Sequence, residues 1–151
     1  MESNKSSKSC KSWKTWQKGG AWLLIALGII HHVSFIILLS RPVTDETVIQ
    51  VIEAMKSISP DVPTTHSLWD FHLGFSFLMG WLIIFVGINA LMNVRVMEQA
   101  PKLGLLNIGA GLVICLHSIY YFFIAPVLFS GLASCLFIVA YIKLSRDLSN
   151  H

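Results

Sequence analysis

Four long apolar runs, parted by short polar breaks, set the pattern of this chain. The clearest covers residues 69–93, where no Lys, Arg, Asp or Glu stands between Phe71 and Met92. About 20 such residues cross the hydrocarbon core of a bilayer as a helix, so this run predicts a span over 70–93. Three more runs predict spans over 21–40, 103–124 and 127–142, the last short but workable with tilt. Arg41-Pro42 closes the first run, because proline disfavours helical backbone in the residue before it. Pro126 marks a tight turn between the last two.

The break after the first run has a pattern of its own. Val48, Val51, Ile52, Met55 and Ile58 recur at helical spacing, with Asp45, Glu46, Glu53 and Lys56 between them. That predicts an amphipathic helix over 45–58, capped by Thr44 or Asp45, lying along a membrane surface or across the end of a bundle. Pro60 and Pro63 end it and leave a connecting loop.

Composition turns the pattern into a class. Hydrophobic residues make up 54% of the 151 and charged residues only 13%, about half the usual share in soluble domains. An integral membrane protein follows, with room for about three to five spans and no soluble domain able to work alone. The net charge of +3 is no nucleic-acid signal, since the basic residues are grouped by side. Lys5, Lys8, Lys11, Lys14 and Lys18 lie in the polar tail 1–20, Arg95 and Lys102 in the second break, and Lys143 and Arg146 at the C-terminal flank. Only Arg41 and Lys56 fall on the opposite side. Basic residues favour the cytoplasm, which predicts both termini, 1–20 and 144–151, on the inner face of a cell inner membrane. Trp13, Trp16 and Trp22 would sit at that interface. The first run is long enough to span and lacks a small-residue cleavage site, so it reads as an uncleaved span rather than a signal peptide. The expected fold is an all-α, antiparallel four-helix transmembrane bundle over 21–143, with the amphipathic helix in its first outer loop.

Small residues recur through the spans: Gly74, Ser76, Gly80 and Gly87 in the second, Gly104, Gly111 and Ser118 in the third, Gly131 and Ser134 in the fourth. They let membrane helices approach where no hydrophobic effect drives them together. At about 100° per residue, Ser76, Gly80 and Gly87 fall within roughly 80° of His72, which places His72 on the packing face.

Histidines supply the candidate chemistry. His31 and His32 stand in the first span, His72 in the second and His117 in the third. His32 and His117 lie about 12 Å below the outer surface and His72 about 4 to 5 Å, at 1.5 Å per residue. Polar groups inside a span are costly and point to a site by default. His32, His72 and His117 are candidate metal or haem ligands, since neutral imidazole serves both and helix bundles build such sites from facing helices. A second reading joins them with Trp69 and Tyr121, among other aromatics, in an outer-leaflet pocket for a lipid or quinone. The third is structural: each histidine bonds Ser34, Ser76, Tyr120 or an Asn on a neighbouring helix, worth about 0.6 kcal/mol.

Other chemistries lack their residues. There is no Cys-x-x-Cys among Cys10, Cys115 and Cys135, no acid pair, no Ser-His-Asp order and no phosphate-binding glycine loop. Charges within the spans are too few for a familiar proton-driven transporter. The sequence therefore leans towards a non-enzymatic bundle whose partners are the bilayer and a second copy or another membrane protein.

Leu27-Gly28-x-x-His31 in the first span, with Trp69, Phe71-His72, Gly74-Phe75-Ser76 and Gly80 in the second, resembles an uncharacterised family of small bacterial four-span membrane proteins. The resemblance implies a four-helix bundle in a bacterial inner membrane and brings no activity, cofactor or catalytic residue. Sterol-isomerase-like and disulfide-generating four-span families are more distant, for the intramembrane acids of the first and the cysteine pair of the second are missing.

Overall fold

The structure is a computed structural model that describes residues 3–59, 66–121 and 124–149, with backbone alone for 3–11 and Tyr121. The described residues form five helices: α1 (Ser3–Ser40), α2 (Glu46–Ser57), α3 (Leu68–Asn93), α4 (Lys102–Tyr121) and α5 (Ile124–Ser149). All but α2 carry stretches long and apolar enough to cross a membrane. Polar residues cap two of the helices. Asp45 caps α2 by accepting from the Thr47 and Val48 amides, and Ser67 with Asp70 forms a reciprocal capping box on α3. Pro126 departs from expectation: it stands inside the first turn of α5, where its missing N–H has no helical partner to lose, so α5 starts at Ile124 and α4 ends at Tyr121.

The largest departure from the expected pattern is at the start. Residues 1–20 read as a polar tail, yet α1 begins at Ser3 and its segment 12–20 belongs to the bundle. Trp13 and Gln17 are fully buried, Trp13 among Val94, Met97 and Leu144. Gln17 Nε2 donates to the Ala90 carbonyl at 3.4 Å. Lys14 pairs with Glu98 at 2.8 Å, and Lys143 Nζ donates to Ser12 Oγ at 2.8 Å. Asn93 and Asn107 share a hydrogen bond of 3.4 Å nearby, so polar contacts gather at the end of the bundle that carries the termini.

The packing order is not the order of the chain. α1 lies between α3 and α5, α4 packs on α5, and α3 and α4 barely touch. Small residues make the tight seams. A Cβ on Gly28 would stand 2.8 Å from the Gly80 carbonyl oxygen, and one on Gly87 2.8 Å from the Ala21 carbonyl oxygen. Gly20 lies under the Phe137 ring, and Gly111 under the Ser134 hydroxyl. Phe71, Phe85, Val113 and Leu128 meanwhile point outward. Large apolar groups outside and small residues at the seams suit a molecule whose surroundings are themselves apolar. The interior serines are satisfied within their own helices: Ser118 donates to the Ile114 carbonyl, Ser130 to that of Pro126 and Ser134 to that of Ser130.

Candidate functional site

Adjacent histidines on α1 meet α3 at one glycine. A Cβ on Gly80 would stand 2.8 Å from His32 Nε2 and 3.1 Å from His31 Cδ2, so both imidazoles need the bare backbone there. His31 Nε2 lies 2.9 Å from the Ser76 carbonyl oxygen, which can only accept. Neutral His31 is therefore the Nε2–H tautomer. Its ring stacks parallel to Phe35, one turn along α1, at 6.4 Å. His32 is half-buried between Phe77 and Trp81, at 4.7 and 5.2 Å between ring centroids. Neither of its ring nitrogens has a hydrogen-bond partner among the described residues.

The other candidates lie apart. His72 is exposed beside Trp69, 5.7 Å between centroids, about 12 Å along α3 from Gly80 at 1.5 Å per residue. His117 is half-buried on α4. Tyr121 ends α4, and its side chain lies outside the described residues. Among the described residues no three His, Cys, Asp or Glu side chains come close enough to share a metal ion. Across from His32, α3 offers Gly80 rather than a second imidazole, so His32, His72 and His117 do not converge.

What the helices do form is a half-open cavity of about 380 Å³ in the half of the bundle away from the termini, with Ile30 and Leu38 exposed at its edge. α1 contributes Leu27, Ile30, His31, Ser34, Phe35 and Leu38. Met79 and Ile83 of α3, Ser118 of α4, and Ala125, Pro126 and Phe129 of α5 complete the wall. Only His31, Ser34 and Ser118 bring polar groups to it. Ligand cavities commonly measure about 300–1,000 Å³ and pair apolar walls with a few fixed polar groups. A second space, a groove of about 690 Å³, runs between α2 and the adjoining ends of α1 and α3. Trp69 and His72 line it.

The sequence points to His32, His72 and His117, whereas His31 lines the cavity and holds the bond to α3. The signal was present in the spacing. Leu27, His31, Ser34, Phe35 and Leu38 are i−4, i, i+3, i+4 and i+7, one face of a helix, and His32 is off it by about 100°.

Comparison with known protein families, curated proteins and solved structures finds no match. The class therefore rests on the molecule itself: among the described residues, a bundle with four membrane-length helices, a largely apolar half-open cavity between them, and a groove beside it.

Proposed function

We propose that this chain is an integral membrane protein that binds a small apolar-tailed molecule, a lipid or a quinone, in the cavity beside His31. It is an antiparallel bundle, with both termini cytoplasmic and the cavity in the outer leaflet of an inner membrane. The seams support opposite directions for neighbouring helices: Gly28 meets Gly80 while Ala21 meets Gly87, and Gly104 meets Tyr141 while Gly111 meets Ser134. The side distribution of Lys and Arg supports the orientation.

The cavity is the observation that carries the reading. In a bilayer, lipid tails compete for such a space, because unfilled walls lose dispersion contacts. A particular occupant must therefore gain from something lipid tails lack. His31, fixed in tautomer by Ser76, and the hydroxyls of Ser34 and Ser118 offer that hydrogen bonding. The weak packing of α3 on α4 favours entry between these two helices. The wall carries no acid and no thiol, which supports binding rather than catalysis.

The test is extraction of protein purified in mild detergent, followed by mass spectrometry. Wild type should retain one apolar small molecule in near-stoichiometric amount, and Met79→Trp, which pushes an indole ring into the cavity, should lose most of it. Recovery of bulk membrane lipids alone, in equal proportions from both proteins, would count against the proposal.

A further inference from the structure

The groove beneath α2 adjoins the cavity. Phe35 and Leu38, one turn apart on α1, line both spaces, so a single pair of side chains separates them. The groove has apolar walls: Val48, Ile52 and Met55 from α2 face Leu39 of α1 and Leu73 of α3. Its rim holds charge. Most carboxylates around this end are already engaged with their own helices. Asp45 accepts from the Thr47 and Val48 amides at 2.9 and 3.2 Å, and Asp70 accepts from the Ser67 amide and hydroxyl at 2.8 and 2.7 Å. Glu53, which also lines the groove, pairs with Lys56 at 2.9 Å. Arg41 lines it too, exposed, with no acidic partner among the described residues. The groove is thus a mostly apolar trough with one cation at its rim that forms no ion pair among the described residues, and two side chains divide it from a second apolar space.

We infer that the two spaces together bind one single-chain lipid with an anionic head, a long-chain carboxylate. Arg41 takes the head in the groove, and the tail passes Phe35 and Leu38 into the cavity. This rests on the cavity being a ligand site, and it names the ligand's class. A guanidinium presents parallel N–H donors that match a carboxylate's two oxygens, an arrangement a neutral quinone or alcohol cannot use. The inner chamber is at the small end of ligand cavities, which suits one tail rather than the two of a phospholipid.

The full-length protein in detergent is tested with tritiated palmitate, using hexadecanol, a quinone with a prenyl tail and phosphatidylglycerol as competitors. Wild type should bind palmitate, with hexadecanol and the quinone competing about tenfold more weakly and phosphatidylglycerol not at all. Arg41→Gln should weaken palmitate about tenfold or more, the usual scale of a charge-assisted hydrogen bond, while leaving hexadecanol unchanged. Arg41→Lys should keep part of the preference. Because Arg41 is exposed, the variants should retain the wild-type melting temperature, which is measured alongside. Equal binding of palmitate by wild type and Arg41→Gln would overturn the head assignment and leave the cavity reading standing. So would a quinone that binds more tightly than palmitate. Competition by phosphatidylglycerol as strong as by palmitate would overturn the single-chain assignment. No binding of any of the four, with Met79→Trp indistinguishable from wild type, would overturn the cavity reading as well.

Discussion

Gly28 and Gly80 bring the backbones of α1 and α3 into direct contact, for a Cβ on Gly28 would stand 2.8 Å from the Gly80 carbonyl oxygen. That oxygen belongs to a rigid helix and cannot swing aside. On the other side, a Cβ on Gly80 meets imidazole atoms of His32 and His31, which can shift by rotating. The two glycines therefore differ in how much the seam depends on them, although both look alike in the sequence.

The first prediction is this order. Gly28→Ala should cost about 1–3 kcal/mol, the range for overpacking a fitted interface. Gly80→Ala should cost less. Gly74→Ala and Gly109→Ala, where nothing lies within 4 Å, should be neutral or stabilising by up to about 1 kcal/mol through helix propensity alone. Reversible unfolding in mixed micelles measures all four, and equal costs would show that the seam is not where the structure puts it.

The paired histidines should respond in opposite directions. His31→Leu removes the bond to the Ser76 carbonyl, worth about 0.6 kcal/mol in a membrane, and so lowers stability. His32→Leu removes two ring nitrogens that have no partner among the described residues and keeps a side chain of similar volume, so it should be neutral or stabilising. Thermal melts in one detergent check the pair. A large loss in His32→Leu, with a change in visible absorbance, would instead reveal a ligand on that imidazole.

A third prediction concerns Trp13. It is completely buried, whereas Trp16 is 39% exposed, so Trp13→Ala should cost about 3–5 kcal/mol and Trp16→Ala clearly less. Lys14→Ala should cost no more than about 1 kcal/mol, because its ion pair with Glu98 is exposed on both sides. If the three variants melt together, the segment is not part of the folded bundle.

Trp13 also shows where the sequence could be read and where reading stopped. The four apolar runs and the cap at Asp45 were legible because each depends on local chemistry; the capping box of Ser67 and Asp70 is equally local but sits in what reads as a connecting loop. The first run was cut at residue 21 because lysines and serines dominate before it. Yet Trp13, Gln17, Gly20, Ala21 and Leu24 continue one helical face back through those lysines, and that face is the buried one. Polar composition reported the side of α1 turned away from the bundle and hid the side turned inward. The histidine site was harder for a different reason. His72 shares a helical arc with Gly80, but a shared face does not fix depth, and two turns further out it meets α2 and the groove instead. Which helices become neighbours was not legible at all, since the packing of α1 between α3 and α5 depends on contacts distant in sequence.

The final prediction separates filling the cavity from binding in it. Met79 lines the cavity and is half-buried, so Met79→Trp extends a ring into about 380 Å³ of space. Filling a void restores dispersion contacts its walls lack, and such changes commonly add about 0.5–2 kcal/mol. The ligand-free variant should therefore melt higher than ligand-free wild type. Adding the ligand reverses the comparison. A ligand present at about 100 times its dissociation constant adds about 2.7 kcal/mol to a protein that binds it, and nothing to one that does not. Wild type should rise with ligand while Met79→Trp stays flat, so the two melting curves cross. Ile83→Phe, a smaller intrusion into the same wall, should lie between them at both ends of the titration. Parallel curves, with all three proteins rising together, would place the bound molecule outside this cavity.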